Sequence, residues 1–170
     1  MKRNLRKITL TAVLTAASII LDVLVKAIIP GNQFGLPIFA LPLIIISLFI
    51  NPFYGLAAGL ISDYIGFYLA PRGNYAIIFA LSAAMWGFIP GIIANYKSKE
   101  YKIIISIFIA HLFATTANTF AMYIEISKNV ALSGLLLRSI LIPANVALLS
   151  ILVIILNKRL IPVYDMFLEG

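Results

Sequence analysis

From residue 8 to residue 156 the chain is a succession of apolar runs, each closed by a short break instead of a polar domain. The breaks are Pro30-Gly31, Asn51-Pro52, Pro71-Arg72-Gly73-Asn74 and the lysine-rich stretch 97–102. A helix needs about 20 mostly apolar residues to cross a bilayer, and runs of that kind recur along the chain. Hydrophobic residues make up 62% of the sequence and charged residues 11%, against roughly 25% charged in an ordinary soluble domain. With a mean hydropathy of +1.06, most of the surface must face lipid. The pattern predicts an all-α integral membrane protein, a six-transmembrane-helix bundle over 8–29, 37–50, 53–70, 75–95, 102–124 and 133–156. One membrane domain, 1–170, accounts for the whole chain. Segment 37–50 is short for a span and has Pro42 inside it. The basic start, Met1 to Lys7, is similar to the n-region of a signal peptide. No clear small-x-small cleavage site follows, so it reads as the start of a retained first helix.

Orientation follows from where the cations fall. With the N-terminus in the cytoplasm, the even number of spans returns the C-terminus there. The inner side then holds Lys2, Arg3, Arg6, Lys7, Lys97, Lys99, Lys102, Lys158 and Arg159, and the outer side Lys26, Arg72, Lys128 and Arg138. Loops rich in Lys and Arg stay inside, so both termini are expected to be cytoplasmic, in a multi-pass protein of a bacterial plasma membrane. The net charge of +7 comes from these clusters and not from a basic face on a soluble scaffold, so nucleic acid is not an expected partner. The sequence has no cysteine and one histidine, which excludes disulfides, thiolate metal sites and a multi-histidine centre. Neither a Walker loop, His-Glu-x-x-His nor Gly-x-Ser-x-Gly occurs. No cofactor is expected, and an enzyme is the minority reading.

Small residues recur at helical spacing: Ala12 and Ala16, Gly55 and Gly59, then Ala83, Gly87 and Gly91. In lipid such residues let helix backbones approach, and ordinary packing explains the second and third sets. Polar residues inside the spans are costly and therefore informative. Asp22 and Lys26, four apart, can pair on one face. Asp63 has no cation in its own helix and is either a helix-to-helix hydrogen bond or a ligand contact. His111, Thr115 and Asn118 form one stripe, Arg138 and Asn145 another, and Ser82 and Trp86 a third. Each alone reads as a structural network; their convergence on the outer half of the bundle points to a ligand cavity. Arg138 is either a planar fork for a carboxylate or a snorkelling interfacial cation.

Asn51-Pro52-Phe53-Tyr54-Gly55 with Gly59-Leu60-Ile61-Ser62-Asp63, Pro71-Arg72-Gly73-Asn74-Tyr75, and Leu81-Ser82-Ala83-Ala84 before Gly87-Phe88-Ile89-Pro90-Gly91 together resemble a known family. They are similar to the substrate-binding S components of energy-coupling factor vitamin transporters, and within them to the folate family. Ala12-x-x-x-Ala16 resembles that superfamily's first-helix docking motif. Asn51 stands where the family usually has glycine, and Ala76-Ile77-Ile78-Phe79 replaces a usual Pro-Gly-Phe-Thr-like run. The resemblance implies six helices, a site opening outward and no catalysis. It implies as partners a transmembrane coupling subunit, two ATPases, the lipid bilayer and a vitamin. Folate is the expected ligand, with Arg138 and Arg72 for its carboxylates, Trp86 or Tyr75 for its ring, and Asp63 or Asn118 for its polar edge; Ser82 is a further expected contact. Another anionic vitamin such as pantothenate, or a small intramembrane enzyme, is the alternative.

Overall fold

The computed structural model describes residues 2–28, 36–71 and 75–169. The breaks at Pro30-Gly31 and Arg72-Gly73-Asn74, and the expected carboxylate contact of Arg72, lie outside the described residues. The described chain forms α1 (Lys2–Ile28), α2 (Ala40–Phe49), α3 (Pro52–Leu69), α4 (Ala80–Ile93), α5 (Glu100–Glu125) and α6 (Lys128–Glu169), with a 3-10 turn, Ile77–Phe79, leading into α4. This is an all-helical fold, as the apolar runs require. By length and composition α1, α5 and α6 can each cross a membrane on their own, whereas α2 and α4 are shorter.

The Asn51-Pro52 break works by capping. Asn51 is extended, its side-chain oxygen accepts the Phe53 N–H at 2.8 Å, and Pro52 fills the first helical turn, where its missing N–H is not needed. The break therefore ends α2 and starts α3. α2 differs from the span expected over 37–50. It has 10 residues, about 15 Å at 1.5 Å per residue, roughly half of the ~30 Å hydrocarbon thickness. Its side chains are nearly all buried, with Leu43, Ile44 and Ile46 at 0% exposure. The segment is hydrophobic on every face because protein surrounds it, packed against α1, α3, α4 and α6. The last helix also runs past the expected end at 156, to Glu169. Asn157 of this extension donates to the Tyr96 carbonyl at 2.9 Å, Tyr96 OH donates to Asp165 at 3.3 Å, and Tyr164 packs edge-on to Phe49 and Tyr96.

α3 and α4 approach each other closely. A Cβ added to Gly55 would overlap the Gly87 carbonyl, and one added to Gly87 would overlap that of Gly55. Backbone meets backbone, with buried Ala58, Ala83 and Ala84 flanking the contact. Polar side chains tie the other helices: Ser18 Oγ donates to the Phe39 carbonyl at 2.8 Å, Ser47 Oγ accepts the Gly91 N–H at 2.8 Å, and Ser82 Oγ donates to the Ala114 carbonyl at 3.1 Å. Arg3 lies near enough to act electrostatically on Tyr164, so the start of α1 and the last turns of α6 lie at the same end of the bundle. The α2–α3 and α4–α5 turns are there too, and the opposite end is left for the cavity.

Candidate substrate cavity

A cavity of about 420 Å³ occupies the end of the bundle away from the termini. The size falls in the range of small-molecule sites, roughly 300–1,000 Å³. Five helices contribute to it: α1 through Asp22 and Lys26, α3 through Asp63 and Phe67, α4 through Ser82 and Trp86, α5 through His111, Thr115 and Asn118, and α6 through Arg138 and Asn145. The three stripes read from the sequence thus line one space. Tyr75 and Phe79, from the segment before α4, join them.

On the α1–α3 wall, Lys26 donates to Asp22 at 2.5 Å, the expected pair at i and i+4. Asp22 reaches this position across Gly66, where a Cβ would stand 2.7 Å from its Oδ2. Asp63 on α3 has the Tyr75 hydroxyl close by and lies in the field of both Lys26 and Asp22. Among the described residues, two carboxylates and one ammonium leave this wall with one net negative charge. Around Tyr75 the rings of Tyr64, Phe67 and Tyr68 pack within 5.1–6.1 Å. Tyr64 and Tyr68 are exposed, as aromatic residues are at a membrane–water boundary.

The α5–α6 wall has the opposite sign. Arg138 donates Nη1 to Thr119 Oγ1 at 3.4 Å and Nη2 to Met122 Sδ at 2.7 Å. Among the described residues no carboxylate comes within ion-pair distance of it. Its guanidinium folds back over Gly134, whose missing Cβ leaves the room. Between the walls, Trp86, 2% exposed, stands edge-on to His111 with ring centroids 5.1 Å apart. Arg138, Trp86, Asp63, Tyr75, Ser82 and Asn118 all border the cavity; Ser82 does so while spending its hydroxyl on the α4–α5 tie. Asp22, Lys26, His111, Thr115 and Asn145 also line it; the sequence marked them as an ion pair, with Lys26 as an alternative anion contact, and as members of the polar stripes, without assigning the others to the ligand. Their i, i+4 and i+7 spacings made them visible as polar stripes, but spacing does not say what a stripe faces.

Over residues 6–161 the chain matches the family described as "ECF transporter, substrate-specific component". The chain belongs to that family. It is therefore a multi-pass membrane protein and a substrate-binding subunit of an energy-coupling factor transporter, a family that implies a vitamin or similar substrate and a coupling and ATPase module. No curated protein matches it. The cavity, with its two oppositely charged walls, is the candidate site for such a substrate in the described fold.

Proposed function

We propose that this S component captures folate from outside the cell and passes it inward when docked on its coupling subunit and two ATPases. One observation carries the choice: among the described residues, Arg138, a fixed cation lining the cavity, has only a threonine hydroxyl and a thioether as partners. A thioether is a weak acceptor, so the guanidinium has its strong partner still to gain, and a carboxylate fits its planar fork. Folate supplies carboxylates on its glutamate tail. Its flat pterin would lie near Trp86, with its donor-rich edge toward Asp63 and Tyr75 on the wall of opposite sign. In this reading the chain binds and does not catalyse, so its transport depends on the ATPases, whereas an enzyme would turn over substrate without them.

Trp86 is the one tryptophan in the sequence, so intrinsic fluorescence reports on the cavity. Folate is expected to quench it saturably, after correction for absorbance by folate itself. Absence of saturable quenching, with pantothenate quenching in its place, would keep the anion site and change the vitamin.

The docking face proposed for the coupling subunit is on α1. This helix is the least enclosed of the long spans, with 11% of its apolar window buried. Ala12 and Ala16 are exposed, with Ile8, Val13 and Ile20 exposed on the same helix. Small residues on such a face allow another helix to approach closely. Ala12→Trp and Ala16→Trp are expected to cut transport by the complete transporter at least about tenfold, as a close helix contact is lost, with folate binding by the isolated subunit unchanged. Normal transport by both variants would return these alanines to the lipid.

Both termini are read as cytoplasmic because the end of the bundle that holds them carries Arg3, Arg6, Lys7, Lys97, Lys99, Lys102, Lys158 and Arg159. The chain lacks cysteine, so single cysteines can be introduced at exposed Asn129 and Lys99 without background. An impermeant maleimide added to intact cells should label the first and spare the second. The reverse pattern would invert the protein.

A further inference from the structure

The chain has one histidine, and its Nε2 is buried without a hydrogen-bond partner among the described residues. His111 is 6% exposed and lines the cavity beside Trp86. Buried polar atoms normally find partners, and each exception calls for an explanation. Ser150 Oγ and Asn157 Oδ1 are also unpartnered, but neither borders the cavity. The His111 ring cannot easily turn to satisfy Nε2 elsewhere, because Nδ1 lies 3.0 Å from Thr115 Oγ1 and Trp86 packs edge-on to the ring.

The threonines indicate which nitrogen holds the proton. Thr9, Thr11, Thr15, Thr116 and Thr119 each donate their hydroxyl to the backbone carbonyl four residues earlier, at 2.7–3.0 Å. Thr115, the remaining threonine of the sequence, instead meets His111 Nδ1. With no carbonyl among the described residues taking its hydroxyl proton, Thr115 is free to donate to Nδ1; in that tautomer Nδ1 accepts and Nε2 bears the hydrogen of the neutral ring. The cavity would then contain a desolvated N–H donor between a negative wall and a positive one.

We infer that His111 is a substrate-reading residue: its Nε2–H donates to an oxo group or an unprotonated ring nitrogen of a heterocyclic substrate, with Thr115 fixing the tautomer. This rests on the cavity being the substrate site, and it assigns a contact that neither wall supplies. It also sets a chemical requirement: the substrate's ring carries an acceptor beside Trp86, and an analogue with a protonated nitrogen or a methyl there is rejected, since the donor would be left facing a donor or a hydrocarbon.

The test is nitrogen-15 NMR of protein labelled at histidine, whose sole ring gives two assignable signals, together with Trp86 quenching as the binding readout. Without ligand, Nε2 should resonate as a protonated nitrogen and Nδ1 as an unprotonated one. Saturating folate should move Nε2 by far more than Nδ1. His111→Phe, which keeps the ring and its contact with Trp86, should weaken folate at least about tenfold through the lost hydrogen bond, and His111→Gln, which keeps a donor, should recover part of the loss. Thr115→Val should mix the tautomers. Folate that quenches Trp86 yet leaves Nε2 in place, with His111→Phe binding as tightly as the parent, overturns the assignment while leaving the folate reading intact. A ligand-free spectrum with the proton on Nδ1 overturns the donor role. If folate fails to bind, pantothenate and the small molecules released by heating the protein as purified go through the same titration. Movement of Nε2 by either sustains His111 and removes folate; quenching by either with Nε2 unmoved removes His111. If none of the three binds, the cavity is not the substrate site and the inference falls with it.

Discussion

Arg138→Ala is expected to weaken folate binding by at least about 2 kcal/mol, roughly 30-fold, because it leaves a desolvated carboxylate without its charged partner. Arg138→Lys should recover only part of this, since an ammonium cannot reproduce the planar fork. The geometry adds a third variant. A Cβ on Gly134 would stand 2.7 Å from Arg138 Nη2 and 3.2 Å from Cζ, close enough to push the guanidinium out of its place. The obstacle is the end of a flexible side chain and not backbone, so Gly134→Ala should fold normally and bind folate more weakly than the parent. Titration of Trp86 fluorescence measures all three. Parent-like affinity in Arg138→Ala would make the arginine an interfacial cation that snorkels and would remove the anchor of the proposed site.

Gly87→Val is expected to have the largest effect on the fold itself. At Gly87 the obstacle is the Gly55 backbone, which no rotamer change can move, so α3 and α4 must separate along their length. Overpacking a well-filled interior commonly costs about 1–3 kcal/mol; with rigid backbone on both sides the cost should reach the upper end or exceed it. Gly55→Val should act alike, and the double variant should be less than additive because one separation of the helices relieves both clashes. Thermal unfolding of the detergent-solubilised protein, followed by size-exclusion chromatography, measures this. Parent-like stability in Gly87→Val would mean that the helices do not meet at these glycines. The cavity depends on the same contact, since α3 contributes Asp63 and α4 contributes Trp86, so loss of folate binding should accompany loss of stability here, in contrast to Gly134→Ala.

Much of the architecture follows from the chain alone, for a reason specific to membranes. Backbone polar groups in hydrocarbon must be satisfied within their own segment, so long apolar runs of this kind have helix as their outcome and Asn51-Pro52 has a capped restart. The pair Asp22–Lys26 and the stripes of α4, α5 and α6 were likewise readable, because helical periodicity is local. The small residues of α3 and α4 announced close packing, though not which glycine would face which. Local information also misled in two places. The run 37–50 is apolar enough to suggest a span, but its composition cannot distinguish a helix wrapped in lipid from α2, a ten-residue helix wrapped in protein. The polar residues from Asn157 onward suggested an end to the last helix, whereas contacts with Tyr96 and Phe49 carry α6 on to Glu169.

The site divides along the same line. Residue type marked Arg138, Trp86 and Asp63 as costly or distinctive in a membrane, and the cavity gathers all of them. Type could not choose between a snorkelling arginine and one that lines a cavity, or between a core histidine and one with a nitrogen left unpaired. Those choices depend on groups distant in sequence: Met122 and Thr119 beneath the guanidinium, Gly66 making room for Asp22, Tyr75 reaching Asp63, and Trp86 lying across His111. Sequence by itself determined that this protein is a bundle of helices in lipid with polar stripes in one half, because hydropathy and periodicity act over a single helix. Only the tertiary structure decided that the stripes enclose one cavity with a negative wall and a positive wall, because the direction a stripe faces is set by which helices pack beside it.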